Sequence, residues 1–144
     1  MIFSLTEQDF VAIKTAKDSG YLDEWNESML KSAVKNGNFY GFKATSDEEI
    51  LGYVHYSTCV DSMDINSVFV FPKFRKNGLG EKLLNAVISV AKEKKIDKIF
   101  LEVRKSNFSA INLYEKVGFI KISERKKYYP NGEDAVIMIK EILL

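Results

Sequence analysis

Cysteine occurs once, as Cys59, and histidine once, as His55, in a chain of 144 residues. One thiol and one imidazole can build neither a disulfide framework nor a Cys/His zinc site within a single chain. Proline occurs only twice, and 46% hydrophobic with 28% charged residues exclude a disordered or fibrous class. Neither sign of charge is in excess: 21 Lys and Arg stand against 20 Asp and Glu, a formal net charge of +1. No global field therefore recruits nucleic acid or an anionic membrane, and an anion site has to be local. No stretch approaches the roughly 20 apolar residues of a membrane span, and the opening MIFSLTEQDF carries neither a basic segment nor a long apolar run. The expectation is a soluble, cytoplasmic protein with no nucleic-acid, membrane or metal partner. Its chemistry would fall to carboxylates, hydroxyls, amides or a bound organic cofactor.

The length suits one domain over residues 1–144, which would bury about two-thirds of the surface its unfolded chain exposes. Thr6 followed by Asp9 matches a capping box with Asp in the usual Glu position. Phe10, Ile13 and Ala16 continue at near-helical spacing up to Gly20, which predicts a first helix. Trp25 opens a second periodic stretch, with Met29, Leu30, Ala33 and Val34 on one face, ended by Asn36 and Gly37. Residues 39–44, 50–57 and 63–71 are short, β-rich runs separated by the polar turns SDEE and CVDS, an antiparallel meander. After Pro72 the loop KFRKNGLG leads into a helix whose apolar face is Leu79, Leu83, Val87, Val90 and Ala91 and which ends near Lys95. Residues 99–104 form the next strand, so 64–104 reads as strand, helix, strand with a right-handed crossover between parallel strands. A helix over 109–117 stops at Gly118, and strands at 119–128 and 134–142 flank the hairpin turn Pro130, Asn131, Gly132.

Residues 75–80 read RKNGLG between a strand and a helix. Gly78 and Gly80 let the backbone approach a ligand, and the unpaired amides and positive dipole end of the following helix favour an anion. Lys73, Arg75 and Lys76 add local positive charge. Main-chain N–H groups could cradle a pyrophosphate here; equally, the glycines could serve only a tight turn with a solvated basic rim. A nucleoside-triphosphatase loop is disfavoured because no Lys-Ser or Lys-Thr follows the second glycine, and the dinucleotide fingerprint lacks its first glycine.

The same residues match the R-x-x-G-x-G coenzyme A loop of the GNAT superfamily of N-acetyltransferases. Residues 107–119, NFSAINLYEKVGF, fit that superfamily's N-x-x-A-x-x-L-Y-x-x-x-G-F pattern. The resemblance covers nearly the whole chain. Within the superfamily it is most similar to the ribosomal-protein-alanine N-acetyltransferases and related protein N-terminal acetyltransferases, on DEWNE around Trp25, LEVRKSN at 101–107 and RKKYYPNGEDAVIM at 125–138.

The resemblance implies an α/β fold: a mixed, mostly antiparallel sheet, flanked by helices, whose central parallel pair of strands, 64–71 and 98–104, splays apart. Acetyl-coenzyme A would be the cosubstrate, with its pyrophosphate on Arg75, Lys76, Asn77, Gly78, Leu79, Gly80 and Glu81. Its pantetheine arm would lie along the main chain of Val68, Phe69 and Val70 as an added strand does. The amine would attack the thioester directly, with no covalent enzyme intermediate and no metal. Glu102 aligns with the carboxylate this subfamily uses as a base, through a water; as an ordinary strand carboxylate it would pair with Arg104 or a lysine. Tyr114 is the implied acid beside the sulfur, or else a core aromatic on an amphipathic helix. Asn107 would contact coenzyme A, cap the helix near Ser109, or both. Tyr128, Tyr129 and Trp25 would border the acceptor, though the tyrosines also suit hairpin packing and Trp25 suits a core. His55, mid-strand between Val54 and Tyr56 with no partner evident, reads as structural.

The implied acceptor is a protein N-terminal α-amine, with the N-terminal alanine of a ribosomal protein as the substrate that the family resemblance implies. The alternatives are a small amine (polyamine, amino acid or aminoglycoside) or a non-catalytic acyl-coenzyme A-binding domain. The chain would act as a monomer or homodimer.

Overall fold

The computed structural model describes residues 1–9, 32, 35, 40–47 and 49–143. Its strands are β1 (Ile2–Ser4), β2 (Tyr40–Ser46), β3 (Glu49–Thr58), β4 (Ser62–Val70), β5 (Lys98–Arg104), β6 (Ile120–Arg125) and β7 (Ala135–Glu141), with helices α1 (Leu79–Glu93) and α2 (Phe108–Lys116). The sheet order is β1-β2-β3-β4-β5-β7-β6. β4 and β5 run parallel, while β1–β2, β2–β3, β5–β7 and β6–β7 are antiparallel. This is the mixed, mostly antiparallel sheet with one parallel pair that the sequence led us to expect. The parallel ladder runs from Ser62↔Lys98 to Ile65↔Leu101; β4 then continues to Val70 and β5 to Arg104.

Two compact units make up the chain. The first comprises Met1–Ser57 and Asn66–Val87. Here the expected capping pair is present: the Asp9 carboxylate accepts from the Thr6 N–H (2.7 Å) and hydroxyl (3.0 Å), and Lys43 pairs with it at 2.8 Å. The two helices predicted after it, with Trp25, lie outside the described residues, apart from the helical and exposed Ser32 and Lys35. β3 is buried on both faces from Gly52 to Tyr56, which is why it reads as a nearly continuous apolar run rather than an alternation. A Cβ on Gly52 would come within 2.7 Å of the Phe69 carbonyl oxygen, so only glycine admits this close approach to β4.

The second unit comprises Thr58–Ile65 and Ile88–Leu144. On β5, Ile99, Leu101 and Val103 are buried and alternate with half-buried Phe100, Glu102 and Arg104, the period-2 pattern of a strand with one packed face. The β6–β7 hairpin turns at Asn131, where the Gly132 N–H donates to the Tyr129 carbonyl (2.8 Å) and Gly132 adopts φ +84°.

α1 crosses from the first unit into the second in sequence. Its buried face is Leu83, Leu84, Val87, Ile88 and Ala91, whereas Leu79 and Val90, expected on that face, are half-buried. The i, i+4 rows 83–87–91 and 84–88 place the centre of the stripe between the two expected margins. The helix ends at Glu93, near Lys95 as expected; Lys95 takes a left-handed φ of +57° while the Ile96 N–H closes back on the Ala91 carbonyl at 2.8 Å, the 6→1 bond of a Schellman cap.

His55 is fully buried on β3, and burial pulls its pKa from 6.5 to about 4. The unfolded chain therefore takes up a proton between those two values while the folded chain does not. Stability should be fully present above pH 6.5 and fall as the pH drops towards 4, by up to roughly 3 kcal/mol. Urea midpoints at pH 5 and pH 7 test this: the difference should shrink in His55→Gln, and an equal difference in both proteins would remove the buried imidazole as its source.

Candidate functional site

β4 buries Met63, Ile65, Ser67 and Phe69 along one side of the strand and leaves Asp64, Asn66, Val68 and Val70 half-buried on the other; Ser62–Ile65 belong to the second unit and Asn66–Val70 to the first. After Val70 a short 3-10 turn, Pro72–Phe74, opens the loop. The Arg75 Nε donates to the Val70 carbonyl (2.7 Å), and its guanidinium sits 5.5 Å from the centre of the Phe69 ring. Asn77 ties to the Phe74 carbonyl at 3.2 Å. Lys76 and Gly78 both take left-handed conformations, φ +67° and +76°, which reverse the chain before α1 begins at Leu79. The first helical bond is Lys82 N–H to the Gly78 carbonyl, 3.1 Å. The N–H groups of Leu79, Gly80 and Glu81 precede it and point out of the helix start. A Cβ on Gly78 would meet nothing within 4 Å, so the space over the turn is open. Open space before outward amides and a helix dipole fits an anionic group such as a pyrophosphate.

In the second unit, Glu102 lies on the half-buried side of β5 and its Oε1 is 3.5 Å from Arg125. Among the described residues, neither Arg104 nor a lysine takes that place. Asp64, on the paired segment of β4, has its carboxyl pushed up, first by burial and then by the charge of Glu102. Tyr114 is buried on α2 and meets Phe119 edge-on at 6.0 Å. Asn107 caps α2, its Oδ1 accepting from the Ala110 N–H at 3.1 Å.

Arg104 is committed to the hairpin that follows β6. Its guanidinium covers the Tyr129 ring at 4.1 Å and donates to Asn131 at 3.2 Å. Glu133 reaches Arg104 at 3.5 Å and accepts from the Ser106 N–H at 2.9 Å and from the Ser106 hydroxyl. Ser106, with smaller help from Asn131 and Arg104, holds Glu133 below the usual carboxylate range. Tyr129 is thereby buried, while Tyr128 stands edge-on to it at 5.1 Å and is 45% exposed. A neighbouring carboxylate, Glu124, is drawn down to about 2 by Lys121, Lys126 and Lys105.

Sequence reading did not single out Asp64, Asn66 or Glu133. For the first two the signal was available in the alternation on β4, which sets them on the side of Val68. Glu133 carried none, since its partners Ser106 and Arg104 lie far back in the chain. His55, which showed no partner in sequence, faces Asn66, whose Nδ2 is 3.2 Å from its Nδ1. Cys59 is exposed in the β3–β4 turn.

Against known proteins, residues 1–119 match the acetyltransferase (GNAT) family. The [ribosomal protein bS18]-alanine N-acetyltransferase of Haemophilus ducreyi is 33% identical over 142 residues, 96% of this chain and 97% of its own. The Salmonella typhimurium protein of the same name is 34% identical over 137 residues, covering 93% and 92%. The crystal structure of the ribosomal-protein-S18-alanine N-acetyltransferase from Escherichia coli superposes with a TM-score of 0.85 at 29% identity, covering 100% of this chain and 94% of that one.

The Glu133 cluster makes a prediction of its own. Removing its charge in Glu133→Gln should weaken the bonds to Ser106 and Arg104. Hydrogen exchange at the Ser106 and Gly132 amides should then quicken roughly fivefold or more, with less change in the exchange of Leu101 and Met138 in the sheet. Unchanged protection at Ser106 would show that the hairpin is held by something other than this carboxylate.

Proposed function

The chain belongs to the acetyltransferase (GNAT) family, and from that premise we propose that it transfers acetyl from acetyl-coenzyme A to the N-terminal α-amine of a protein, with the N-terminal alanine of a ribosomal protein as acceptor. The enzyme class is that of its relatives, N-acetyltransferases. The observation that carries the cosubstrate is the left-handed turn at Lys76 and Gly78, with open space before the outward amides of Leu79, Gly80 and Glu81. The acceptor is supported by relatives that carry this acceptor in their names and align over more than nine-tenths of the chain. In this reading the whole chain acts as one catalytic domain in the cytoplasm, as a monomer or homodimer, without nucleic acid or membrane.

The amides at 76–81 would take the pyrophosphate and the main chain of Val68, Phe69 and Val70 would flank the pantetheine arm. Arg75, already bonded to the Val70 carbonyl, would hold the loop to the strand rather than act chiefly as a phosphate ligand. Acetyl-coenzyme A supplies an activated acyl carbon and a thiolate leaving group. The new bond joins the amine nitrogen to that carbon as the carbon–sulfur bond breaks. Glu102 would take the amine's proton through a water, and the Tyr114 hydroxyl would donate one to the departing sulfur. An α-amine with a pKa near 8 is about a tenth neutral at pH 7, against less than about one part in a thousand for a lysine near 10.4, so the task set for the base is small. Tyr128, exposed beside the buried Tyr129, would border the acceptor together with Trp25.

Intact-mass analysis of peptides and small amines incubated with acetyl-coenzyme A tests the acceptor; a mass gain of one acetyl group on alanine-first peptides is expected, and acetylation of small amines alone would overturn the assignment. Gly80→Val should abolish coenzyme A binding by crowding the amides. It is a cleaner test than Gly78→Val, where the left-handed φ would itself be strained. Wild-type affinity by calorimetry in folded Gly80→Val would end the phosphate-loop assignment.

The roles of Tyr114 and Glu102 separate by pH. Tyr114→Phe should leave acetyl-coenzyme A affinity nearly unchanged and lower turnover about a hundredfold. Glu102→Gln should lose most at low pH, where the amine is protonated, and recover in part as the pH rises. Full turnover in folded Tyr114→Phe would remove the acid, and an unaltered pH profile in Glu102→Gln would remove the base.

A further inference from the structure

One polar cluster on β3 and β4 has no part in the chemistry described so far. Asn66 places its side-chain Nδ2 3.2 Å from the Nδ1 of His55 and 3.2 Å from the Oγ of Ser57. An amide nitrogen has two hydrogens, and these two acceptors use both. The His55 end is steady, because the imidazole is fully buried and stays neutral down to about pH 4. With the ring proton on Nε2 the neutral imidazole can only accept at Nδ1, and on that tautomer the amide of Asn66 is fixed in one of its two orientations. Its Oδ1 has no partner among the described residues. Asn66 is half-buried on the side of β4 that it shares with Val68 and Val70, one alternate position before Val68. That spacing is roughly 7 Å along a strand.

We infer that Asn66, held by His55 and Ser57, is an acceptor-binding residue whose Oδ1 receives an N–H of the attacking amine. The inference rests on the reading given under Proposed function. The phosphate loop follows the C-terminal end of β4, so an arm lying along Val70 and then Val68 carries its acyl end towards Asn66. A carbonyl oxygen with both amide hydrogens engaged offers only lone pairs, which suits a nitrogen that keeps N–H bonds while its own lone pair attacks. Its neutrality matters equally. A carboxylate in this place would favour the ammonium form and raise the amine's pKa by about 1–3 units, whereas a neutral oxygen orients the amine without holding it protonated.

The test uses the whole protein, acetyl-coenzyme A and a short peptide beginning with alanine. Asn66→Ala should raise the KM for the peptide about tenfold or more, as for loss of a hydrogen bond to a polar or charged group, with acetyl-coenzyme A affinity unchanged by calorimetry. The near-isosteric Asn66→Asp should move the rising limb of the kcat/KM profile to higher pH by about one unit or more. Asp64, two residues back on the same side, and Glu102, whose charge reaches Asp64 and which pairs with Arg125, are present in wild type and variant alike. The difference between the two profiles is therefore what is read. Nitrogen-15 shifts of the His55 ring give a readout independent of turnover and should show the proton on Nε2. An Nδ1 proton would reverse the amide of Asn66 and overturn the inference, as would an unchanged peptide KM together with an unchanged pH profile in folded Asn66→Ala and Asn66→Asp proteins. If spermidine is acetylated and the peptide is not, while the Asn66 variants still show these effects with spermidine, the α-amine assignment fails and the role of Asn66 stands.

Discussion

Buried backbone groups have to be hydrogen-bonded, and β4 meets that requirement by different means along its length. From Ser62 to Ile65 it is laddered to β5 in parallel. Near its C-terminal end the Val70 carbonyl is taken by the Arg75 Nε, and the N–H of Phe71 by the Leu51 carbonyl. A strand satisfied in this piecemeal way can end in an abrupt left-handed turn without stranding polar groups. The loop at 75–80, the start of α1 and the half-buried row Asp64, Asn66, Val68 and Val70 all take their positions from it.

Much of the architecture was legible because local rules and tertiary context agree. The alternation on β4 and β5, the Gly132 turn and the stop at Gly118, with φ +104°, each follow from side-chain period or backbone permissiveness. Details that depend on distant pairing were not legible. The partner of Glu102 is Arg125, brought near because β7 lies between their strands in register, with Glu102 opposite Ile137 and Arg125 opposite Ala135. No spacing in the chain announces that. The apolar face of α1 was offset for a related reason: Leu84 and Ile88 are no less apolar than Leu79 and Val90, and only packing decides which pair is covered.

Among the proposed site residues, structural and chemical uses coexist rather than compete. Asn107 caps α2 and so sets the direction of the helix that carries Tyr114. Tyr114 is a packed aromatic against Phe119 whatever its hydroxyl does. Arg75 pins its own loop. A side chain fixed by packing loses little further freedom when it meets a substrate, so such residues lower the entropic cost of a productive geometry.

The hairpin between β6 and β7 is anchored at its root. Glu133 is bound to Ser106 and Arg104, and Asp134 to the N–H of Lys127 and the ammonium of Lys126. This makes the segment a module: Asn131, which accepts from Arg104 and from the Glu133 N–H, belongs to the anchor, while Tyr128 and Pro130 lie beyond the root carboxylates. In the proposed reading, where Tyr128 borders the acceptor, a substitution at the tip would alter what the hairpin meets and leave the anchoring pairs of its root in place.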